Sequence, residues 1–224
     1  MNSDQILNIL GFSPLTLNIL IELADMSANI QRFKILENIP FETRSPFIPL
    51  KRYYLNFVNC YDETFRIEKN EQFVLGVVGT RSKEIVHNFF KERVGMKNDR
   101  FTNLVHPSAD ISNSCSLNHG VQIERLTSIS ALAKIGFGVN IRSNCHISHH
   151  TKLGDYVTIN PSVTISGRVE IGNNTQIGTG TVIRDHVKIG SHCVIGMGSN
   201  VVADIPDNSI AYGNPCKIIG LNRI

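Results

Sequence analysis

The chain has 224 residues, enough for one large domain or two modest ones with a sizeable core either way. Its formal net charge is only +3, and no Lys/Arg-dense stretch is interleaved with aromatics, so nucleic acid is not expected as a partner. The first residues carry no basic cluster, the run "LNILIEL" (17–23) is too short to span a bilayer and contains Glu22, and the five cysteines form no CxxC pair; a soluble, cytoplasmic chain without membrane partner, disulfides or metal is expected.

In chain order, "ILNILGFSPLTLNILIELADM" (6–26) reads as strand, tight turn and helix. Gly11 permits the turn, Ser13 stands where a cap belongs, and Pro14 suits the first helical position. "RFKIL" (32–36) reads as a second strand running out at Glu37 and Asn38, and "FVLGVVG" (73–79) as a buried third. Between them, 39–72 contains Tyr53, Tyr54, Phe57 and Tyr61, which fit either extra packing or a lid over a ligand. "SKEIVHNFFKERVG" (82–95) reads as a helix, and "FTNLVH" (101–106) leads onward. Strands alternating with helices imply a small parallel α/β domain over 1–104, whose ligands lie beyond the carboxyl ends of the strands. Those ends are Gly11–Ser13, Glu37–Asn38 and Gly79–Arg81.

From Val105 the pattern changes. Every sixth residue up to Val201 is Ile, Leu or Val, seventeen in succession without a slip. Four residues after each stands a small or β-branched residue in nearly every case, three of the five cysteines among them. A period of six fits neither an amphipathic helix nor an alternating strand. It fits a parallel β-helix over 105–205, in which each hexapeptide supplies one short flat face and a turn, aliphatic side chains fill a prism, and the small residue packs at the corner. With three faces per coil, residues eighteen apart stack at roughly 4.8 Å. A closing segment occupies 206–224.

This repeat resembles that of the hexapeptide-repeat acyltransferases, whose domain is a left-handed parallel β-helix, and "IPDNSIAYGNPCKII" (205–219) looks like the family's closing motif. With an α/β domain ahead of the β-helix, the whole chain resembles the sugar-nucleotide N-acetyltransferases of bacterial surface-glycan synthesis and the related sialic-acid-locus O-acetyltransferases. The resemblance implies a homotrimer, acetyl-CoA as co-substrate in the groove between neighbouring prisms, and a nucleotide-linked 4-amino-4,6-dideoxy sugar held by the α/β domain at Gly11, Ser13, Glu37 and Asn38. Two departures stand out there. "GFSPLT" (11–16) is poorer in glycine than the group's first turn, and Asn38 replaces one of two frequent acids.

The resemblance also assigns the catalytic base. It is a histidine at the third position of one hexapeptide, here His149 in "ISHHTK" (147–152). A neutral imidazole takes the proton that an amine or hydroxyl loses on adding to a thioester. The acid that usually follows it is replaced by His150, which supplies no negative charge, and Arg142 stands where the family commonly has Asn, assigned by position to the acceptor side. One coil beyond His149 is Gly167, whose backbone N–H the resemblance assigns to the thioester carbonyl. Thr179, Met197 and Gly198 would line the pantetheine groove, and Lys217 would meet a coenzyme A phosphate. His119, His146, His186 and His192 read as solvated turn or face residues, and adjacent histidines on a turn are expected to diverge, which disfavours a metal site. Three functions stay open on this reading: N-acetylation, O-acetylation, and a non-catalytic trimeric sugar-nucleotide binder.

Overall fold

The computed structural model describes residues 5–11, 13–37, 52–62 and 64–223. The chain divides into two compact units, Met1–Leu104 and Val105–Ile224, so the closing segment groups with the repeat.

The first unit is built on a parallel sheet of β1 (Ile6–Leu10), β2 (Arg32–Glu37), β3 (Tyr54–Asn59) and β4 (Gln72–Leu75) in the order β3-β2-β1-β4, with helices α1 (Pro14–Ala28) and α2 (Thr80–Val94). The strand order reverses direction between β1 and β4, which makes the carboxyl ends of those two strands the topological switch point. Leu7, Ile9, Phe33, Ile35 and Val74 fill the core against Leu17, Ile21 and Ala24 of α1. One expectation changes here. The third strand of the sequence reading stops at Leu75, although Gly76 N–H still donates to Leu10 O of β1 at 2.9 Å. Of the segment 39–72, residues 39–51 and 63 lie outside the described residues; its described part supplies an edge strand, in which β3 pairs in parallel with β2 and Tyr53, Leu55 and Phe57 pack on the core. Tyr53 also donates its hydroxyl to the buried carboxylate of Asp25 at 3.0 Å, which Arg52 meets at 2.6 Å.

The second unit is a three-faced prism. Seventeen two-residue strands run from Leu104–Val105 to Asn200–Val201, and all but the last three pair in parallel with the strand eighteen residues on, as in Lys134–Ile135 with Lys152–Leu153. Every strand puts its aliphatic residue inward, and Ile123, Ile141, Ile159, Ile177 and Ile195 form one such buried column. The small position behaves as read, with a refinement. Where it is threonine, and at Cys145 and Cys193, the group donates to a carbonyl in the next coil: Thr127 to Arg142 at 2.9 Å, Thr175 to Gly190 at 2.7 Å, Cys145 to Asn160 at 3.1 Å. Buried polar groups are thereby satisfied.

Three corners join the faces. One stacks the turns at Ala131, His149, Gly167 and Asp185; a second those at Ser143, Pro161, Thr179 and Met197; the third those at Phe137, Asp155, Asn173 and Ser191. The second residue of these turns adopts a left-handed conformation, often without being glycine, as at Leu132, His150, Arg168 and His186. A repeated hydrogen bond offsets that strain: His150 N–H donates to Ala131 O at 3.1 Å, Arg168 N–H to His149 O at 2.9 Å, and His186 N–H to Gly167 O at 3.0 Å.

Candidate active site

Stacking places His149 directly before Gly167 on one exposed corner. A β-carbon built on Gly167 would stand 2.7 Å from His149 Cε1 and 2.8 Å from Nε2, so the Cε1–Nε2 edge of the imidazole lies over the glycine α-carbon. The other edge is held by its neighbour: His149 Nδ1 and His150 Nδ1 are 3.0 Å apart, with the rings edge to face. The two adjacent histidines therefore converge rather than diverge, because the left-handed backbone at His150 (φ 61°) folds its ring back. They converge as a pair only. Among the described residues no three His, Cys, Asp or Glu side chains form a group that could hold a metal ion.

The corners differ in their free donors. At the Asp155 corner each turn N–H is taken by a side chain of the next coil: Phe137 by Asp155 Oδ1 (2.7 Å), Asp155 by Asn173 Oδ1 (2.8 Å), Asn173 by Ser191 Oγ (3.1 Å) and Ser191 by Asp207 Oδ1 (2.7 Å). The N–H groups of Gly167, Thr179 and Met197 donate no such bond among the described residues. They are unused backbone donors at the other two corners.

The expected groove residues lie at the second corner, across one face of the prism from His149. Thr179 and Gly180 turn there, Gly198 N–H donates to Thr179 O at 2.8 Å, and Met197 is 79% exposed. Lys217 opens the last strand, Lys217–Leu221, which runs antiparallel to Ser209–Tyr212. That closing segment is tied to the same corner, since Asn200 N–H donates to Gly213 O at 3.0 Å and Gly213 N–H to Ser199 Oγ at 3.3 Å. One chain thus brings together His149, His150 and Gly167, and separately Thr179, Met197, Gly198 and the closing segment.

Arg142 belongs to neither group. Its Nε lies 2.6 Å from Glu124 Oε1, and the same carboxylate accepts from Ser143 N–H (3.0 Å) and Ser143 Oγ (2.7 Å). Its charge is matched at the turn before the His146–Ile147 strand, whereas His149 follows that strand. Glu124 escaped the sequence reading, although its place eighteen residues before Arg142 was a usable signal. His146 is exposed, as read, yet its ring is fixed by Ser128 Oγ at Nδ1 (2.7 Å) and Ser148 Oγ at Nε2 (3.0 Å).

In the first unit, Gly11 sits at φ 63° and its N–H donates to Leu36 O at 2.9 Å. Ser13 occupies the N-cap of α1, but its hydroxyl makes no cap hydrogen bond. Glu37 ends β2, and Asn38 lies outside the described residues. Sequence reasoning missed Gly76. A β-carbon there would overlap the carbonyl oxygen of Gly11 and stand 2.5 Å from Ile9 Cγ2. The backbones leaving β1 and β4 pass so closely that only glycine fits.

The family described as bacterial transferase hexapeptide (six repeats) matches residues 132–167 and 168–203, so the chain carries these repeats. Comparison with curated proteins gives no match. Among solved structures, the acetyltransferase domain of PglB from Neisseria gonorrhoeae in complex with acetyl coenzyme A is 21% identical, with 97% of this chain and 100% of that chain covered and a TM-score of 0.80. A mutant of perosamine N-acetyltransferase from Caulobacter crescentus in complex with CoA and GDP-perosamine is 22% identical, covers 98% of each chain and gives a TM-score of 0.77. WeeI from Acinetobacter baumannii is 19% identical over 96% of this chain and 100% of that one, with a TM-score of 0.79. The fold is therefore a short α/β region followed by a left-handed parallel β-helix, the architecture of these acetyltransferase structures.

Proposed function

We propose that this chain, a carrier of transferase hexapeptide repeats, is an acetyl-CoA-dependent N-acetyltransferase acting on a nucleotide-linked amino sugar of the 4-amino-4,6-dideoxyhexose type, in bacterial surface-glycan synthesis in the cytoplasm. The observation that carries this reading is the imidazole edge of His149 lying over Gly167 on an exposed corner. In this reading His149 donates its Nδ1 proton to His150 and keeps Nε2 free. As the sugar amine adds to the thioester carbonyl, Nε2 removes its proton. The carbonyl oxygen gains charge against the free N–H of Gly167. The tetrahedral intermediate then expels the coenzyme A sulfur, which takes the proton back from the imidazolium. Transfer is direct, because no cysteine stands at a turn beside His149.

His150 orients the base as the missing carboxylate would, but without charge, so the imidazolium gains less stabilisation than beside an acid. An amine, which is a better nucleophile than a sugar hydroxyl, depends less on help from the base, and this favours N- over O-acetylation. Gly11, Ser13 and Glu37, at the ends of β1 and β2, serve the acceptor, together with Asn38. The α1 N-terminus, with no cap from Ser13, offers N–H groups to a phosphate. Thr179, Met197, Gly198 and Lys217 serve acetyl-CoA. They sit a face away from His149 in one chain, so the complete groove forms between two prisms of a homotrimer.

The test is thiol release from acetyl-CoA in the presence of UDP-, GDP- and dTDP-linked 4-amino-4,6-dideoxyhexoses, with mass analysis of the product and sedimentation of the chain. An amide-linked acetyl group on one of these sugars and a trimeric species are expected. No thiol release with any of them, or an ester product, contradicts the reading.

A further inference from the structure

The face between the His149 and Asp155 corners carries outward, on consecutive rungs and in register, Lys134, Lys152, Glu170 and Lys188. With Arg168, which follows Gly167, and His150 they line a cavity of about 630 Å³. Only one of these cations is matched. Lys152 Nζ meets Glu170 Oε1 at 2.7 Å, and that hydrogen bond, with the charge of Lys152 and then of Lys188, holds the Glu170 carboxyl below its usual range. Lys134, Arg168 and Lys188 form no ion pair among the described residues. Lys134 stands directly opposite Lys152 on the neighbouring strand, a like-charge pair that works against the sheet. Nothing in the prism's packing requires these charges, because all three side chains are exposed.

We infer that this groove binds a pyrophosphate group. Lys134 and Lys152 stand on successive rungs, about 4.8 Å apart, a span that two linked phosphates bridge, and Lys188 lies two rungs beyond Lys152, past Glu170. Arg168 adds a planar fork of donors suited to phosphate oxygens. The ligand anion would relieve the repulsion that the empty face carries. The groove itself carries this inference; which pyrophosphate carrier fills it, the sugar nucleotide or coenzyme A, rests on the function proposed above.

The experiment is calorimetric titration of the full chain at low salt with inorganic pyrophosphate, UDP and coenzyme A, comparing the wild type with a Lys134→Gln/Arg168→Gln/Lys188→Gln triple variant and with Arg168→Gln alone. Removing charge-assisted hydrogen bonds should weaken pyrophosphate binding by about tenfold or more in the triple variant, and less in the single one. The steep loss of wild-type affinity with added salt should flatten. The melting temperature should not fall, since like charges have been removed. A parallel loss for UDP assigns the groove to the acceptor, and a parallel loss for coenzyme A assigns it to the acyl donor. Unchanged pyrophosphate affinity in the triple variant, or unchanged affinity for both nucleotides, overturns the inference. Because binding is read without turnover, that outcome is separate from failure of the acetyl-transfer reading.

Discussion

The imidazole of His149 rests over the α-carbon of Gly167, one coil further along the same corner, with Cε1 and Nε2 filling the space a β-carbon would take. A candidate proton acceptor and a free backbone donor are thereby set within one glycine's width of each other. Gly167→Ala tests that contact. The backbone there lies outside the left-handed region and the three nearest atoms belong to the ring, so the prism should fold with an unchanged melting temperature. The added methyl pushes the ring away, and turnover should drop by about 10²–10⁴-fold, as for loss of the base itself. Full activity in a folded Gly167→Ala variant would dissociate the pair.

Gly76→Ala should behave in the opposite way. Its β-carbon meets the Gly11 carbonyl and Ile9 Cγ2, backbone and core rather than a movable ring. Overpacking of this kind costs about 1–3 kcal/mol, so the first unit should unfold at lower denaturant, with the β-helix transition unmoved. A single transition at the wild-type midpoint would show that the strands have room to part.

The side-chain ladder at the Asp155 corner should be additive and modest. Asn173 Oδ1 accepts the Asp155 N–H on an exposed corner where water can partly replace it. Asn173→Ala should lower stability by about 0.5–1 kcal/mol, read from the urea midpoint. Asn173→Asp keeps the acceptor and should recover most of the loss. Equal loss in both variants would assign the effect to something other than that oxygen.

The cysteines give a pH dependence with a definite sign. Burial pushes the Cys60 thiol up to about 12 and the Cys145 thiol to about 11, from an unfolded value near 9.0. Below pH 9 both states hold these protons and stability is complete. Between pH 9 and 11–12 the unfolded chain releases protons that the folded chain retains, so stability must fall as pH rises. Unfolding midpoints measured from pH 8 to 10.5 should decline, and a Cys60→Ser/Cys145→Ser chain should decline less steeply. Native thiols should also resist alkylation at pH 8.

The prism is legible in the sequence because its rule is strict: one inward aliphatic every six residues leaves no competing fold, and stacking by eighteen sets His149 against Gly167. The same arithmetic contains the Glu124–Arg142 and Lys152–Glu170 pairs and the Asp155–Asn173–Ser191 ladder. The α/β unit was less legible. β3 escaped because "YLNFVN" alternates weakly, with exposed Tyr54 at the start of an edge strand. The close pass at Gly76 involves two strands distant in sequence, so no local pattern announces it. The turn of His150 toward His149 depends on a left-handed φ, uncommon outside glycine, that no pattern within the hexapeptide announces.

The central claim is that His149 is the base and His150 its orienting partner, linked through their Nδ1 atoms. The most direct test is turnover at saturating acetyl-CoA and sugar nucleotide for His149→Ala, His150→Ala and His150→Glu, each checked for its melting temperature and for both ligand affinities. His149→Ala should lose about 10²–10⁴-fold in turnover with both affinities kept, because the side chain is exposed and leaves no cavity. His150→Ala should lose less, and His150→Glu should match or exceed the wild type, since a carboxylate stabilises the imidazolium. A fully active His149→Ala beside an inactive His150→Ala would contradict the account and move the base to the next residue.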